Sequence, residues 1–513
     1  MLQRSLVTAL LAAVFGASGP LSAQRPHVVL VSVDAGSQKI IDVMLRGDKT
    51  MLPTLERMRE RGYSARGLTP PSISSTPVSH PTIFTGTWPR DHGISGVAVP
   101  GVQLGDPLIS GFTLPTRVPR LWSVVEAAGR RVVCVMPPGV DGLTPETTCT
   151  ETLTFADLTQ RRDSASAPTS SAMARIDAEV GPSPGAPAPT QQTLGKAPET
   201  AYVDAGRRFA DYEARIVRYE LERGDWDLMI VYLPYLDNLE HRYLLTDPRQ
   251  VEYNAESGHR REAFARIVRQ GYMAVDSILN GWIAASPGTD FIVVGDHGMV
   301  PAHSTILLNN VLVGAGLRVS GSEPDVRAIS SGGSAQIYVN SAPRFARGTV
   351  SSVRYDSVVT RVVRACRSLR DPRNGDPLLP TVATRSRFAA LQLPKEGAGD
   401  VYLSAAPGWS ISSRVDTGVP AIIPNTLSPD TRARVASTPA MLRFMEGGNA
   451  NELSLGVHGY LPGDDRLQAF FLAIGPHVPR RADRVRPMID VAPTVLRVLG
   501  LEAPGFMKGR AAW

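Results

Sequence analysis

The chain reads as an α/β protein: a mainly parallel central sheet flanked by helices, with a smaller subdomain inserted late in the sequence. Three observations lead there. Apolar, β-branched runs of strand length recur along the chain. Helical periodicity fills the stretches between them, and that alternation favours parallel strands joined by helical crossovers. Three of the runs lead into acidic or imidazole side chains. An open α/β sheet presents its functional residues at that place, beyond the carboxyl ends of its strands.

In order, His27–Val33 is the first strand, and Asp34 follows it. Thr76 lies in PPSISSTPVSHPTIFTG, where seven hydroxyl residues crowd between Ser72 and Thr85, ahead of an expected helix His80–Thr85. Helical spacing over Val118–Ala128 leads to a strand at Arg131–Met136. Residues 161–200 break the alternation. Their Pro, Ser, Ala and Gly content reads as a mobile insertion or extended surface loop, with one short helix at Ala172–Val180. A helix Tyr202–Glu222 precedes the strand Asp227–Leu233, which leads to Asp237-Asn238-Leu239-Glu240-His241. Ala263–Ala285 is helical, Asp290–Val294 is a strand, and Asp296-His297-Gly298 follows.

Between Met299 and Leu455 the alternation loosens, although SAQIYV and DVYLSA remain strand candidates. Asp296-His297 precedes this region and His458 follows it, so it reads as an insertion into one core. A strand at Gln468–Ile474 and a closing helix at Met488–Leu499 return to that core. The expected organisation is a leader over 1–23, a catalytic core over 24–298, a cap-like insertion over 299–455 and a return to the core over 456–513.

At 513 residues the chain exceeds a single minimal domain, and 43% hydrophobic with 20% charged residues is a globular balance. The formal net charge is +6 without a dense Lys/Arg block, so charge does not point to nucleic acid. Arg4, the apolar stretch Leu6–Ala17 and Leu21-Ser22-Ala23 have the form of a secretory signal. That stretch is too short to span a bilayer, and no later segment reaches ~18 apolar residues. An exported protein, periplasmic or secreted, with no membrane span after signal removal is expected. In an oxidising compartment Cys134 and Cys149 could close a short loop, leaving Cys366 unpaired. Cys134 equally suits a small buried core position. Oligomeric state is not legible.

Asp34, Asp237, His241, Asp296, His297 and His458 supply mixed oxygen and nitrogen donors. Such a set suits a pair of Zn²⁺ ions, and Mn²⁺ accepts the same ligands. Plainer readings stand beside this one. Asp34 suits a helix cap, Asp237 and His241 suit an i, i+4 surface pair, and His458 suits an exposed Gly-rich loop. Asp296-His297 is more telling. Adjacent Asp and His after a buried strand cannot both face the core, and a turn at Gly298 would aim both at one ion. The Thr76 hydroxyl needs its proton removed to act as a nucleophile, which a neighbouring cation promotes.

The order and spacing of these motifs resemble the alkaline phosphatase superfamily, most of all its branch of type I phosphodiesterases and nucleotide pyrophosphatases. The resemblance runs from Val28 through Gly509 and includes TGTWPRDHGI, YLPYLDNLEH, GDHGM, GVHGY with FFLAIGP, and DVAPTVLRVLGLEAPGFMKGR. It implies an alkaline phosphatase-like fold and two zinc sites. Asp237, His241 and His458 would form one site. Asp34, Asp296 and His297 would form the other, with Thr76 beside it. It also implies in-line attack by Thr76 on phosphorus and a phosphothreonine that water then hydrolyses. The substrate would be a small phosphodiester or pyrophosphate such as a nucleotide.

His80 occupies the family's histidine position four residues after the nucleophile and reads as structural. Ser79 departs from the pattern: Asn is usual three residues after the nucleophile, and Ser is a shorter donor for a phosphoryl oxygen. Tyr232, Tyr235 and Phe155 are candidates for an apolar wall beside a diester. A phosphate monoesterase is the runner-up, with Arg161 and Arg162 as extra contacts for a dianion. Sulfatase activity is disfavoured because the segment around Thr76 lacks a Cys-x-Pro-x-Arg pattern. A binding protein that keeps the fold without turnover is the third reading.

Overall fold

The computed structural model describes residues 25–140, 148–162, 168–187, 199–253, 259–426, 429–447 and 453–513. The expected leader, 1–23, lies outside the described residues.

An eight-stranded sheet forms the centre. Its strands are β1 (Val28–Val33), β2 (Tyr63–Ala65), β3 (Val132–Val135), β4 (Glu151–Leu153), β5 (Leu228–Leu233), β6 (Asp290–Gly295), β7 (Phe471–Ile474) and β8 (Arg481–Asp483). They lie in the order β8-β2-β7-β6-β1-β5-β3-β4. The run β6-β1-β5-β3-β4 is parallel, and β7 runs against both its neighbours. Every residue of β1, β5 and β6 is buried. Helices cover both faces of the sheet, which is why these runs are continuously apolar rather than alternating. Val29, Val31 and Val33 pack with Met229, Val231 and Leu233 into the core on one face. Val28 and Leu30 join Leu228 and Ile230 on the other.

Register places the site. Val33 pairs with both Leu233 and Gly295, so Asp34 and Asp296 leave the sheet side by side at the same level. Gly295 is required here: a Cβ on it would lie 2.3 Å from the Gly36 carbonyl oxygen, so only glycine lets the loops after β1 and β6 touch.

The excursion between β6 and β7 builds its own layers. A four-stranded antiparallel sheet joins Val326–Ser330, Ser334–Val339, Val401–Ser404 and Thr381–Thr384. The helix Ser352–Arg367 packs on it through Val358, Val362 and Cys366. A second, three-stranded sheet holds Ser304–Leu307 between Trp409–Ser412 and Ile422–Pro424. Val300–Pro301 pairs antiparallel with Gly456–Val457, so entry and exit of this region are clasped together beside the metal-type ligands.

Two sequence expectations change. The helix carrying Thr76 begins at Thr76 itself and runs to Thr85, with Pro77 in its first turn, where a missing N–H costs nothing. The described part of the Pro/Ser-rich segment is packed rather than loose. Its helix Ser171–Glu179 buries Ala172, Met173 and Ile176, and Arg162 is held by Asp177 at 2.8 Å. One helical stripe of three apolar side chains suffices to dock it against the main core. Cys134 and Cys149 are bridged, and Cys366 is free and buried. No helix among the described residues is long and apolar enough to cross a membrane.

Candidate metal centre and active site

The inner half of the site is built by the ends of β1 and β6. Asp34 accepts a hydrogen bond from the Tyr232 hydroxyl, and Asp296 accepts one from the backbone N–H of Ala35 at 3.1 Å. Ala35 holds φ of 57°, a left-handed conformation that a residue with a Cβ rarely adopts. That turn swings Asp34 and the Ala35 amide toward Asp296. His297 Nε2 lies 3.4 Å from Asp34, 3.3 Å from Asp296 Oδ2 and 3.3 Å from the Thr76 hydroxyl.

The outer half comes from the helix Tyr235–Tyr243 after β5 and from the loop after Gly456–Val457. Helical spacing puts Asp237 and His241 on one face, 3.4 Å apart. His458 Nε2 stands 3.7 Å from the same Asp237 oxygen. Asp237, His241 and His458 can converge on one ion, and so can Asp34, Asp237 and His297. Asp237 therefore lies between the halves, while Asp296 reaches the inner group through its contact with His297. The His297 and His458 rings stack at 3.9 Å, which joins the halves.

The donors fit cations. His241 and His458 direct Nδ1 at the backbone carbonyls of Gly456 and Ser74, at 2.8 and 3.1 Å. His297 directs its own at the Gly298 carbonyl at 3.2 Å. Each Nε2 is then left with a lone pair facing the site, the usual second contact of a metal-binding imidazole. Burial pushes His241 down to about 4 and His458 to about 3, and His297 is also held well below its ordinary value. All three are neutral. Burial pushes all three carboxyls well up, and each is raised further by a neighbour: Asp34 by Asp237, Asp237 by Asp296, and Asp296 by Asp34. One oxygen of each, Asp34 Oδ1, Asp237 Oδ1 and Asp296 Oδ2, is buried without a hydrogen-bond partner among the described residues. Three converging carboxylates beside three neutral imidazoles form a cluster that divalent cations would relieve.

Thr76 is 6% exposed and sits at the N-terminus of its helix, where the backbone dipole favours an anion. Ser75 and Ser79 flank it, both buried with hydroxyl oxygens that find no hydrogen-bond partner among the described residues. His80 is not among the converging donors. Its ring nitrogens contact Ser32 and the Thr76 carbonyl, both at 2.9 Å, so it braces the helix against β1.

Among the candidate wall residues, Tyr232 is committed to Asp34 and Tyr235 is buried. Phe155, 41% exposed, opens the short helix after β4. Arg162 is engaged with Asp177, and Arg161 is exposed. Sequence reasoning missed the bracing contacts. Tyr232 as a hydrogen-bond donor to Asp34 was signalled only by its penultimate place in β5. The carbonyls of Ser74, Gly298 and Gly456 carry no side-chain signal at all.

No curated protein sequence matches the chain. Solved structures match it over almost its whole length. Mouse ectonucleotide pyrophosphatase/phosphodiesterase 5 aligns with a TM-score of 0.54 and 14% identity, covering 93% of this chain and 96% of that one. An inactive variant of the mouse protein in complex with AMP gives 0.56 and 15%, with 93% and 96% covered. The human protein gives 0.55 and 14%, with 95% and 97% covered. At such identities the likeness speaks for the fold. The family model for type I phosphodiesterase / nucleotide pyrophosphatase matches residues 28–437. The chain belongs to that family of metal-dependent phosphodiester hydrolases, within the alkaline phosphatase superfamily.

Proposed function

We propose that the protein is an exported two-zinc hydrolase that cleaves phosphodiester or pyrophosphate bonds of small molecules such as nucleotides. The reaction runs through a phosphothreonine at Thr76. The observation that carries this reading is the Thr76 hydroxyl, at a helix N-terminus and 3.3 Å from His297 Nε2. Asp237, His241 and His458 would hold one ion, and Asp34, Asp296 and His297 the other. When bound, the ions would lower the pKa of the Thr76 hydroxyl and offset charge on the phosphoryl group. Thr76 attacks phosphorus and the alcohol or phosphate opposite it leaves. Water then attacks phosphorus, and the bond to Thr76 Oγ1 breaks. The first-turn amides of the Thr76 helix and the Ser79 hydroxyl are the nearby donors for phosphoryl oxygens.

The AMP complex of the structural neighbour supports a nucleotide-like substrate. The bridge between Cys134 and Cys149 supports an oxidising, exported setting. We also propose that residues 299–455 act as a cap inserted into the core, clasped at Val300–Pro301.

The test compares hydrolysis of bis-p-nitrophenyl phosphate, p-nitrophenyl thymidine monophosphate and p-nitrophenyl phosphate by zinc-loaded protein, with EDTA-treated controls. Faster turnover of the two diesters is expected. A dominant monoester rate would replace the diesterase reading with the monoesterase one. Metal-independent turnover, or none at full zinc occupancy, would overturn the catalytic reading.

A further inference from the structure

Behind the metal-type ligands lies a second cavity of about 580 Å³, open at one side and unused by the proposed chemistry. Its wall is made by the residues that directly follow three ligand segments. Ser37 comes after Asp34, Tyr243 to Leu245 after His241, and Met299 after His297. Ala35, Leu244 and Met299 form a small buried apolar cluster where those same segments meet, so the cavity lies on the far side of a hydrophobic partition from the ligands. Most of the remaining wall is aliphatic or thioether, including Ile40, Val43, Met44 and Val268, with Thr246 as an uncharged polar exception. Val43 is 55% exposed in the middle of a helix, a position where a solvated face would ordinarily be polar.

The lining's own charge is one-sided, although two of its three cations are paired outside it. The charged residues of the lining are Lys39, Arg269 and Arg466, all basic. Lys39 is paired with Asp465 at 2.5 Å, and Arg466 with Asp464 at 2.5 Å. Arg269 is exposed and has no acidic partner among the described residues. The volume falls within the range of small-molecule sites, and the wall offers a ligand's interior almost no hydrogen-bonding groups.

We propose that this cavity is a binding site for a single aliphatic chain ending in an anionic head group, a fatty-acid-like amphiphile. The chain lies against Ile40, Val43, Met44 and Val268, and the head group meets Arg269. Saturating thioethers and branched aliphatics suit a flexible chain, because Met side chains repack around an irregular shape. An uncharged chain would leave the Arg269 guanidinium unmatched, and a cationic head group would be repelled by it.

The test uses the full zinc-loaded chain and sodium decanoate, dodecanoate and tetradecanoate below their micelle concentrations, by calorimetry. One site per chain is expected. Affinity should rise about fourfold per added methylene, the factor that corresponds to burial of one CH₂ at ~0.8 kcal/mol. Dodecyltrimethylammonium should bind at least tenfold more weakly than dodecanoate. Val43→Glu and Arg269→Glu, both at exposed positions, should each weaken dodecanoate at least tenfold while thermal unfolding and hydrolysis of the nitrophenyl diesters stay unchanged. Equal binding of the cationic chain would overturn the proposal. So would several weak sites per chain, or dodecanoate binding insensitive to both substitutions with the fold intact. Esterase assays do not enter the readout of binding, so the failure of this site and the failure of the hydrolase reading are separable.

Discussion

The two halves of the candidate metal centre carry the same donor types in different surroundings. In the inner half the side chains of Asp34, Asp296 and His297 are 3%, 0% and 0% exposed. In the outer half Asp237, His241 and His458 are 16%, 12% and 13% exposed. The inner carboxylates are braced by groups that recognise them, the Tyr232 hydroxyl and the Ala35 amide. Among the described residues the outer donors are braced through imidazole contacts to carbonyls. The inner half is thus the pre-organised one, set by sheet register and a strained turn. The outer half rests on one helix and one loop, and solvent reaches it. The proposed nucleophile beside the rigid half and an exchangeable position at the open half would be a sensible division for a reaction in which a leaving group departs and water enters.

The comparison can be broken most severely at Thr76. Thr76→Ala should reduce turnover by ~10⁴-fold or more while both zinc ions remain, measured by steady-state hydrolysis beside metal analysis. Substantial residual turnover would remove Thr76 from the mechanism.

Metal removal tests the asymmetry itself. Chelation should release zinc in two phases, the outer ion first, and His241→Ala should leave about one tightly held zinc per chain. Release in a single phase would mean that the halves do not differ in the way their burial suggests. The same titration has a pH sign. The metal-free carboxyls of Asp34, Asp237 and Asp296 are pushed up, so zinc must displace protons. Binding should therefore tighten as pH rises and release protons measurable by calorimetry in buffers of different ionisation enthalpy.

A milder cut is Tyr232→Phe, which removes one hydrogen bond to Asp34 and little volume. Loss of such a supporting contact behind a metal-binding carboxylate typically costs ~10–100-fold in metal affinity or activity. The loss should appear in the slow, inner phase of zinc release and leave the fast phase unchanged.

The smallest expected effect sharpens what makes the inner half a site. Glu213 is also fully buried, and both its carboxylate oxygens lack hydrogen-bond partners among the described residues, yet no second carboxylate or imidazole is among the causes of its shift. Burial alone raises it well above its ordinary value. A raised folded-state value means that the favourable protonated form is present below the unfolded value of ~4.5, and its benefit is lost as pH rises through the folded value. Glu213→Gln should raise the thermal midpoint at pH 8 more than at pH 5, with or without zinc. A zinc-dependent gain would mean that Glu213 belongs to the metal centre after all.

Much of the inner half was legible in the chain. Apolar runs ending in Asp34 and in Asp296-His297 announce two strands of one parallel sheet, because strands covered on both faces must be apolar along their length. Asp237 and His241 announce a helical face by their spacing alone. The start of the helix at Thr76 was less legible, since Pro77 and Pro81 obscure the helical pattern that the buried environment imposes. The helix Ser171–Glu179 was legible as the short helix expected at Ala172–Val180, but its docking was not, as three apolar residues among Ser, Ala and Pro give a weak signal until a sheet edge is there to receive them.

What the sequence determined by itself is the inventory: which donors exist, that strands lead to most of them, and that their types suit divalent cations and a hydroxyl nucleophile. Which donors meet was decided by tertiary structure. Sheet order sets β1 between β5 and β6, register levels Asp34 with Asp296, and the clasp at Val300–Pro301 returns His458 to the site after more than a hundred residues. The physical reason is that local periodicity encodes only which face of an element is apolar. The distance between two side chains remote in sequence depends on how whole elements pack, and no local pattern carries that information.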